Sequence, residues 1–150
     1  MKVAIELAEE NVKQGNGGPF GAVIVRNGEI IATGVNGVTR YNDPTAHAEV
    51  TAIRNACKTL DTYQLEDCEI YSSCEPCPMC LGAIYWARPK ALYFAADKYD
   101  AANAGFDDSF IYAEIKLDIP KRKILTQQIN LTNKLKPFEE WDVSELKLGY

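Results

Sequence analysis

Two short motifs constrain the fold of this chain more than any other feature: His-Ala-Glu at residues 47–49 and Pro-Cys-Pro-Met-Cys at residues 76–80. The second motif predicts a helix start, so Cys77 and Cys80 lie three residues apart with their sulfur atoms on one face. The free N–H groups and the dipole of a helix N-terminus stabilise thiolates at this position. His47 lies near the start of the preceding predicted helix. If the two helices lie side by side, their N-termini meet at one edge of a sheet.

One imidazole and two thiolates supply three ligands for a tetrahedral ion and leave the fourth position to water, as in catalytic zinc sites. The chain has one histidine, which excludes a structural site with two histidines. Cys74 lies three residues before Cys77, and it leaves open a closed structural site of three cysteines and one histidine. Glu49 favours the catalytic interpretation, because a carboxylate beside the metal can move the protons of the water without being a ligand.

Hydrophobic periodicity predicts a first helix within residues 3–12, and Asn27-Gly28 predicts a hairpin of two strands. Asp43 is expected to cap a helix that runs to Leu60. The other predicted elements are strands at residues 68–72, 91–95 and 124–131 and helices at residues 76–87, 108–117 and 137–141. The strand at residues 91–95 is apolar throughout and is expected to be central. These elements predict a three-layer α/β/α fold with a five-stranded mixed sheet.

The length of 150 residues predicts a single domain. The formal net charge of −5 disfavours a nucleic-acid partner, because binding through phosphates needs clustered Lys and Arg. No apolar run reaches the length of a membrane span, and the N-terminal residues do not have the pattern of a signal peptide. The five cysteines are an odd number, and three of them lie in residues 74–80. This pattern suits a metal site in a reducing compartment, so a cytoplasmic location is expected.

The pairing of His-x-Glu with Pro-Cys-x-x-Cys resembles the signature of the cytidine deaminase superfamily, which consists of zinc-dependent deaminases. Residues 42–50, 73–89 and 104–112 look like those of bacterial guanine deaminases, whereas residues 17–25 fit both these enzymes and tRNA adenosine deaminases. The resemblance covers nearly the whole chain. It implies a cytidine-deaminase-like fold and the hydrolytic deamination of guanine to xanthine and ammonia, as in purine salvage or catabolism.

The same resemblance implies the roles of the motif residues. One Zn²⁺ per chain would be held by His47, Cys77 and Cys80, with water or hydroxide as the fourth ligand. Glu49 would protonate the ring nitrogen next to the reacting carbon and later the departing ammonia. These assignments agree with the interpretation that the spacing alone supports.

The resemblance also implies substrate contacts outside the metal site. Asn36 would hydrogen-bond the purine, although a turn residue beside Gly37 explains it equally well. Asp108 would accept hydrogen bonds from the ring N–H and the amine of guanine, at an edge where adenine offers an acceptor. Either Asp107 or Asp108 can fill this role while the other caps a helix. The remaining implied contacts are Ala46, Tyr150, Phe20 and Trp86, and the last two have packing as their alternative role.

The C-terminal segment, about residues 130–150, is expected to fold over the active site as a lid. In the resembling family this lid often belongs to a partner subunit, so a homodimer that acts on a small purine is expected, with possible exchange of the segment. Three other interpretations stay open. They are a tRNA adenosine deaminase, which would need a basic surface for an anticodon loop, a guanosine or other nucleoside deaminase, and a structural zinc-binding module.

Overall fold

The structure, a computed structural model, describes residues 1–149, and the chain divides into two compact units after Ser109. The first unit contains α1 (Lys2–Lys13), β1 (Gly21–Arg26), β2 (Glu29–Val35), α2 (Val38–Tyr41), α3 (Ala48–Leu60), β3 (Cys68–Cys74), α4 (Pro78–Ala87), β4 (Ala91–Ala96) and α5 (Lys98–Asn103). At the unit boundary and beyond it lie α6 (Ser109–Ile115), a 3₁₀ turn (Ile119–Lys121) and α7 (Lys136–Val143). No helix within residues 1–149 is long and apolar enough to cross a membrane.

The sheet formed by the described residues has four strands in the order β2-β1-β3-β4. β1 runs antiparallel to β2 and β3, whereas β3 and β4 are parallel, so the predicted mixed sheet is confirmed. Asn27 and Gly28 both have positive φ and form the predicted hairpin turn. Because β2, β3 and β4 all run in one direction, their carboxyl ends lie along the same edge of the sheet.

Two predictions about the sheet are wrong. The fifth strand, predicted at residues 124–131, is absent from the described sheet, and residues 125–131 have no regular secondary structure. The strand predicted to be central, β4, lies at an edge, and its Tyr93 and Phe94 are about half exposed. Alternating or continuous apolar residues predict a side-chain pattern, but a strand also needs a neighbour for its backbone hydrogen bonds, and local sequence does not specify that neighbour.

Helices cover both faces of this sheet. A side chain at Gly21 would meet the backbone of α1 at Ala4, and one at Gly34 would meet the backbone of α3 at Ala48. Gly34 pairs with Ala22, the residue after Gly21, so the two glycines face opposite sides of the sheet. α4 packs beside α3. The first unit therefore has the predicted three layers, with α1 on one face and α3 and α4 on the other.

The hydrophobic core lies between the sheet and the helices α3 and α4. Ala48, Ala52 and Ala56 form a stripe of small side chains along α3, which allows this helix to approach the sheet closely. The buried cluster around this stripe consists of Ala22, Ile24, Leu65, Cys68, Ile70, Ile84 and Ala87. This core fixes the N-termini of α3 and α4 relative to the carboxyl ends of the strands.

The second unit contains the two helices predicted at residues 108–117 and 137–141, observed as α6 and α7. None of its described residues is buried. Its apolar side chains include Leu125 and Leu146, which are 92% and 91% exposed. This unit therefore has no hydrophobic core of its own within residues 110–149.

Candidate metal centre and substrate site

The predicted metal ligands lie at the N-termini of two neighbouring helices. His47 is the N-cap residue of α3, and Cys77 is the N-cap residue of α4. Pro78 occupies the start of α4, where its missing N–H is not needed, and Cys80 follows in the first turn. The helix starts thus bring the three side chains together as the sequence predicted.

A turn before α3 sets the position of Ala46. Asp43 accepts hydrogen bonds from the backbone N–H and the hydroxyl of Thr45, at 2.8 and 2.7 Å. The prediction that Asp43 caps α3 is therefore wrong, because its carboxylate closes the turn that delays the helix start. The carbonyl of Ala46 accepts a hydrogen bond of 2.9 Å from the N–H of Gly37. Ala46 is buried and lies beside the segment that carries Asn36.

The three ligand atoms have the spacing of a zinc site. His47 Nδ1 lies 3.5 Å from the Sγ atoms of both Cys77 and Cys80. All three ligand atoms lie within 4.8 Å of one another. Zn–S bonds of about 2.3 Å and Zn–N bonds of about 2.0–2.1 Å in a tetrahedron separate nitrogen from sulfur by about 3.5 Å. The residues present therefore fit a zinc ion held through Nδ1 and two sulfur atoms.

The electrostatics of the two cysteines favour a thiolate. The thiol of Cys80 donates to Cys77, and this contact, together with the neighbouring His47, lowers the pKa of Cys77 to about 4. The same contact and burial raise the pKa of Cys80. A cation bound between the two sulfur atoms deprotonates a coordinating thiol. The pair can therefore supply two thiolate ligands once a metal is bound.

Cys74 is not part of this group of ligands. Its Sγ donates to the carbonyl of Asp97 at 3.5 Å. Burial raises the pKa of Cys74 to about 11, so it remains a thiol at neutral pH. Within residues 1–149, the group that can hold a metal consists of His47, Cys77 and Cys80. Three protein ligands with an open fourth position are typical of a catalytic zinc site.

Glu49 lies in the first turn of α3, and its side chain is nearly inaccessible, at 6% exposure. Ser72 Oγ donates to Glu49 Oε1 at 3.2 Å. Burial raises the pKa of Glu49 above its usual range, which suits a group that both accepts and donates protons. Sequence reasoning missed Ser72. The signal was its position on β3 two residues before Cys74 and two after Ile70, since alternate strand residues share a face.

Asn36 directly follows β2 and is 7% exposed. Its Oδ1 accepts hydrogen bonds from the N–H groups of Gly18, at 3.2 Å, and Val38, at 3.4 Å. Its backbone N–H donates to the carbonyl of Phe20 at 3.1 Å. Among residues 1–149, the Nδ2 group of Asn36 has no hydrogen-bond partner. Asn36 is thus more than a turn residue, because its Oδ1 holds two backbone N–H groups and its Nδ2 donor is left for a ligand.

Phe20 packs against the hydrophobic core and also contacts Phe106. The two rings meet edge to face, with centroids 4.9 Å apart and an interplanar angle of 86°. Phe106 was not predicted as a site residue, although it lies in the segment that resembles guanine deaminases. Through this contact, the segment just before Asp107 and Asp108 packs against Phe20, the residue predicted to stack on the base.

The two neighbouring carboxylates have different environments. Asp107 Oδ1 accepts a hydrogen bond of 2.9 Å from the N–H of Ser109, which begins α6, and this bond lowers the pKa of Asp107. Asp108 is partly buried, and burial followed by the negative charge of Cys77 raises its pKa. Asp107 therefore closes the turn before α6, and Asp108 lies within electrostatic reach of the metal centre.

Two further predicted contacts, Trp86 and Tyr150, stay untested. Trp86, near the end of α4, is 64% exposed, so its predicted pocket-lining role stays a prediction. Tyr150 lies outside the described residues.

Comparison with known proteins identifies the family. The family described as the cytidine and deoxycytidylate deaminase zinc-binding region matches residues 1–96. This chain belongs to that family. The deaminase is 64% identical to a guanine deaminase of Bacillus subtilis over 141 residues, which cover 94% of this chain and 90% of the relative. It is also 46% identical to a tRNA-specific adenosine deaminase of Aquifex aeolicus over 99 residues, 65% of each chain.

Solved structures give the same family. The X-ray structure of guanine deaminase from Bacillus subtilis is similar with a TM-score of 0.98 at 62% identity, covering 99% of this deaminase and 95% of that chain. A guanine deaminase from Nitrosomonas europaea is similar with a TM-score of 0.68 at 36% identity, covering 71% and 62%. The chain is accordingly a zinc-dependent hydrolytic deaminase, and the group of His47, Cys77 and Cys80 fits its zinc site.

Proposed function

We propose that this deaminase converts guanine and water to xanthine and ammonia, in the salvage or catabolism of purines. The observation that carries the proposal is the identity of 64%, over 94% of the chain, to a protein that is itself a guanine deaminase. The site is consistent with this chemistry, because it combines three metal ligands with a buried carboxylate.

In the proposed mechanism, His47, Cys77 and Cys80 would hold Zn²⁺, which would supply the Lewis acidity that lowers the pKa of water. Glu49 carries the protons. It accepts one from the water that attacks the ring carbon bearing the amine, and it delivers this proton to the adjacent ring nitrogen. It then accepts the remaining proton of the new C–OH group and passes it to the amine, which leaves as ammonia while the carbonyl of xanthine forms. The hydrogen bond from Ser72 holds the carboxylate of Glu49 in place during these transfers. The raised pKa of Glu49 favours its return of the proton to the leaving group.

Recognition of guanine is assigned to residues on three loops. Asp108 accepts hydrogen bonds from the N–H donors of the base, and its negative charge strengthens them. Asn36 donates through Nδ2, the group that has no partner within residues 1–149. Phe20 stacks on the base, supported by its contact with Phe106. Ala46 and Trp86 line the site, the first beside Asn36 and the second from the end of α4.

A tRNA adenosine deaminase is the second candidate, because relatives of that class are 46% identical over about two thirds of this chain. Two features favour guanine instead. The net charge of −5 is a poor match for an anticodon loop, which a basic surface would bind. Asp108 would place a carboxylate against the ring nitrogen of adenine, which is an acceptor and not a donor.

A substrate panel tests the proposal. Zinc-loaded protein is expected to release ammonia from guanine much faster than from adenine, cytosine, cytidine or guanosine. Faster release from guanosine would reassign the enzyme to nucleosides. If guanine is inert and an adenosine-bearing anticodon stem-loop is deaminated, guanine is the wrong substrate and the zinc chemistry remains.

The same proposal includes a homodimer. Its C-terminal segment, about residues 130–150 with Tyr150 at its end, closes the active site as a lid. This lid either stays on its own subunit or is exchanged between subunits. The absence of a buried residue within 110–149 supports it, because exposed apolar side chains such as Leu146 need a surface to cover them. Sedimentation is expected to give twice the mass of one chain, and a monomer would contradict the dimer.

A reducing compartment suits the thiolate ligands, so we place the enzyme in the cytoplasm.

A further inference from the structure

Helix α1 carries a polar residue on its buried face. Its buried residues are Ala4, Ala8 and Asn11, and Asn11 is only 3% exposed. Their spacing places all three on one stripe of the helix, where a small apolar residue would be expected at the third position as well. Because a buried amide needs partners, the contacts of Asn11 identify what this part of the helix holds.

Those contacts lead to the residue that we assign to base recognition. Asn11 Nδ2 donates to the carbonyls of both Gly18 and Asn36, each at 2.9 Å. The N–H of Gly18 in turn donates to Oδ1 of Asn36 at 3.2 Å. The three residues therefore form a closed set of hydrogen bonds, which we call the Asn11 clamp.

The neighbouring glycine shows how closely the clamp is packed. A Cβ atom on Gly17 would collide with the backbone carbonyl of Asn36 and would also approach its Oδ1. The loop before β1 thus lies directly on Asn36, and Asn11 donates to both the loop and Asn36. Movement of this loop would displace both the backbone and the amide of Asn36.

Only half of the Asn11 amide is used. Its Oδ1 is buried and has no hydrogen-bond partner among the described residues. A buried acceptor without a partner is destabilising, so the amide is not explained as a simple stabilising group. What Asn11 contributes is its two donors, and both are directed at the segment that holds Asn36.

We propose that Asn11 is a positioning residue for substrate recognition, which fixes Asn36 so that its Nδ2 group is kept ready for the base. This inference rests on the proposed function, in which Asn36 hydrogen-bonds the purine. Asn11 donates to Gly18 and Asn36 and is outside the metal-ligand group, so its effect is expressed in binding of the base and not in the chemical step.

Steady-state kinetics of Asn11→Leu tests the clamp, because Leu keeps the branched skeleton and lacks the donors. We expect KM for guanine to rise about three- to tenfold, the worth of one hydrogen bond, with kcat nearly unchanged. Ala8→Gly is the matched control, since it weakens the same buried stripe of α1 and leaves the clamp intact. A merely structural role would reduce the active fraction, and hence kcat, in both variants without raising KM.

A double-mutant cycle shows whether Asn11 acts through Asn36. In an Asn36→Ala background, Asn11→Leu is expected to raise KM no further. An additive effect on KM would contradict the clamp, as would an unchanged KM in the single variant. A wild type that does not deaminate guanine would contradict the proposed function instead.

The clamp also has a readout that needs no substrate. Nuclear magnetic relaxation of the Asn36 side-chain amide in zinc-loaded protein is expected to report a rigid group in the wild type and in Ala8→Gly. In Asn11→Leu, or in Asn11→Ser if the first variant does not fold, this amide is expected to become mobile on the picosecond-to-nanosecond scale. An equally rigid amide in the Asn11 variant would overturn the inference whatever the substrate.

Discussion

The metal centre and the residues proposed to recognise the base are held in different ways. His47 and Cys77 are N-cap residues of helices that pack on the sheet, so a rigid core fixes them. Asn36, Phe20 and Asp108 lie outside helices and strands and depend on hydrogen bonds and ring contacts between loops. The contrast separates two properties of the enzyme. The core fixes the metal ligands of the family, whereas the loops carry the residues that we propose to select the base.

Loss of a metal ligand is expected to have the largest effect. Cys77→Ala removes one of three protein ligands, so zinc content should fall well below one per chain and turnover should be abolished. Cys57→Ala is the matched control, because Cys57 is a cysteine of α3 that packs beside the core and is outside the ligand group. Metal analysis and ammonia release measure both variants. Full zinc and activity in Cys77→Ala would show that the metal lies elsewhere.

Asp108→Asn is expected to have a smaller effect that is confined to recognition. Loss of a charged acceptor should lower kcat/KM for guanine about 10- to 100-fold while zinc is retained. Asp107→Asn is the matched control, since an Asn side chain still accepts a hydrogen bond from the N–H of Ser109. If both variants lose activity equally, the division of roles between the two carboxylates is wrong.

The pH dependence of wild type and Asp108→Asn sharpens this test. Burial raises the pKa of Asp108, and only its ionised form accepts from both donors of guanine. Guanine recognition by Asp108 is therefore complete above this raised pKa and is lost as the pH falls through it. The ratio of wild-type to Asp108→Asn kcat/KM should be constant at high pH and approach one at low pH. A ratio that does not change with pH would contradict the role of the charge.

Trp86→Ala is expected to have the smallest effect of the series. Trp86 is 64% exposed, and partial contact of its ring with the base should be worth about threefold in KM. Tyr85→Ala controls for general disturbance of α4, because Tyr85 is a neighbouring aromatic residue that is also exposed, at 76%. Equal KM values for the two variants would remove Trp86 from the substrate site.

The metal centre was predictable from sequence because each of its parts has a local signal. A Pro-Cys-x-x-Cys motif at a helix start places two sulfur atoms together, and the chain has a single histidine to serve as the nitrogen ligand. The two helices start about two to four residues later than predicted, and this difference does not move the ligands away from the predicted site. A helix that begins at Ala48 or at Pro78 still puts its N-cap residue at the same edge of the sheet.

The parts that could not be predicted depend on contacts between distant segments. Ser72 on β3 and Glu49 on α3 meet between the sheet and a helix. Phe106 and Phe20 are distant in sequence, and their rings are in contact. The position of β4 at an edge depends on pairing partners that its own apolar sequence does not encode. Asn11 had a signal in its place on an apolar stripe, but only the structure shows that it contacts Asn36.

Glu49 is expected to move the protons of a zinc-dependent deamination of guanine. The most direct measurement is the production of xanthine and ammonia by wild type and Glu49→Gln at matched zinc content. Equal amounts of the two products are expected from the wild type, and turnover by the variant should fall about 10²- to 10⁴-fold with one zinc per chain retained. Undiminished xanthine production by zinc-loaded Glu49→Gln would contradict the account.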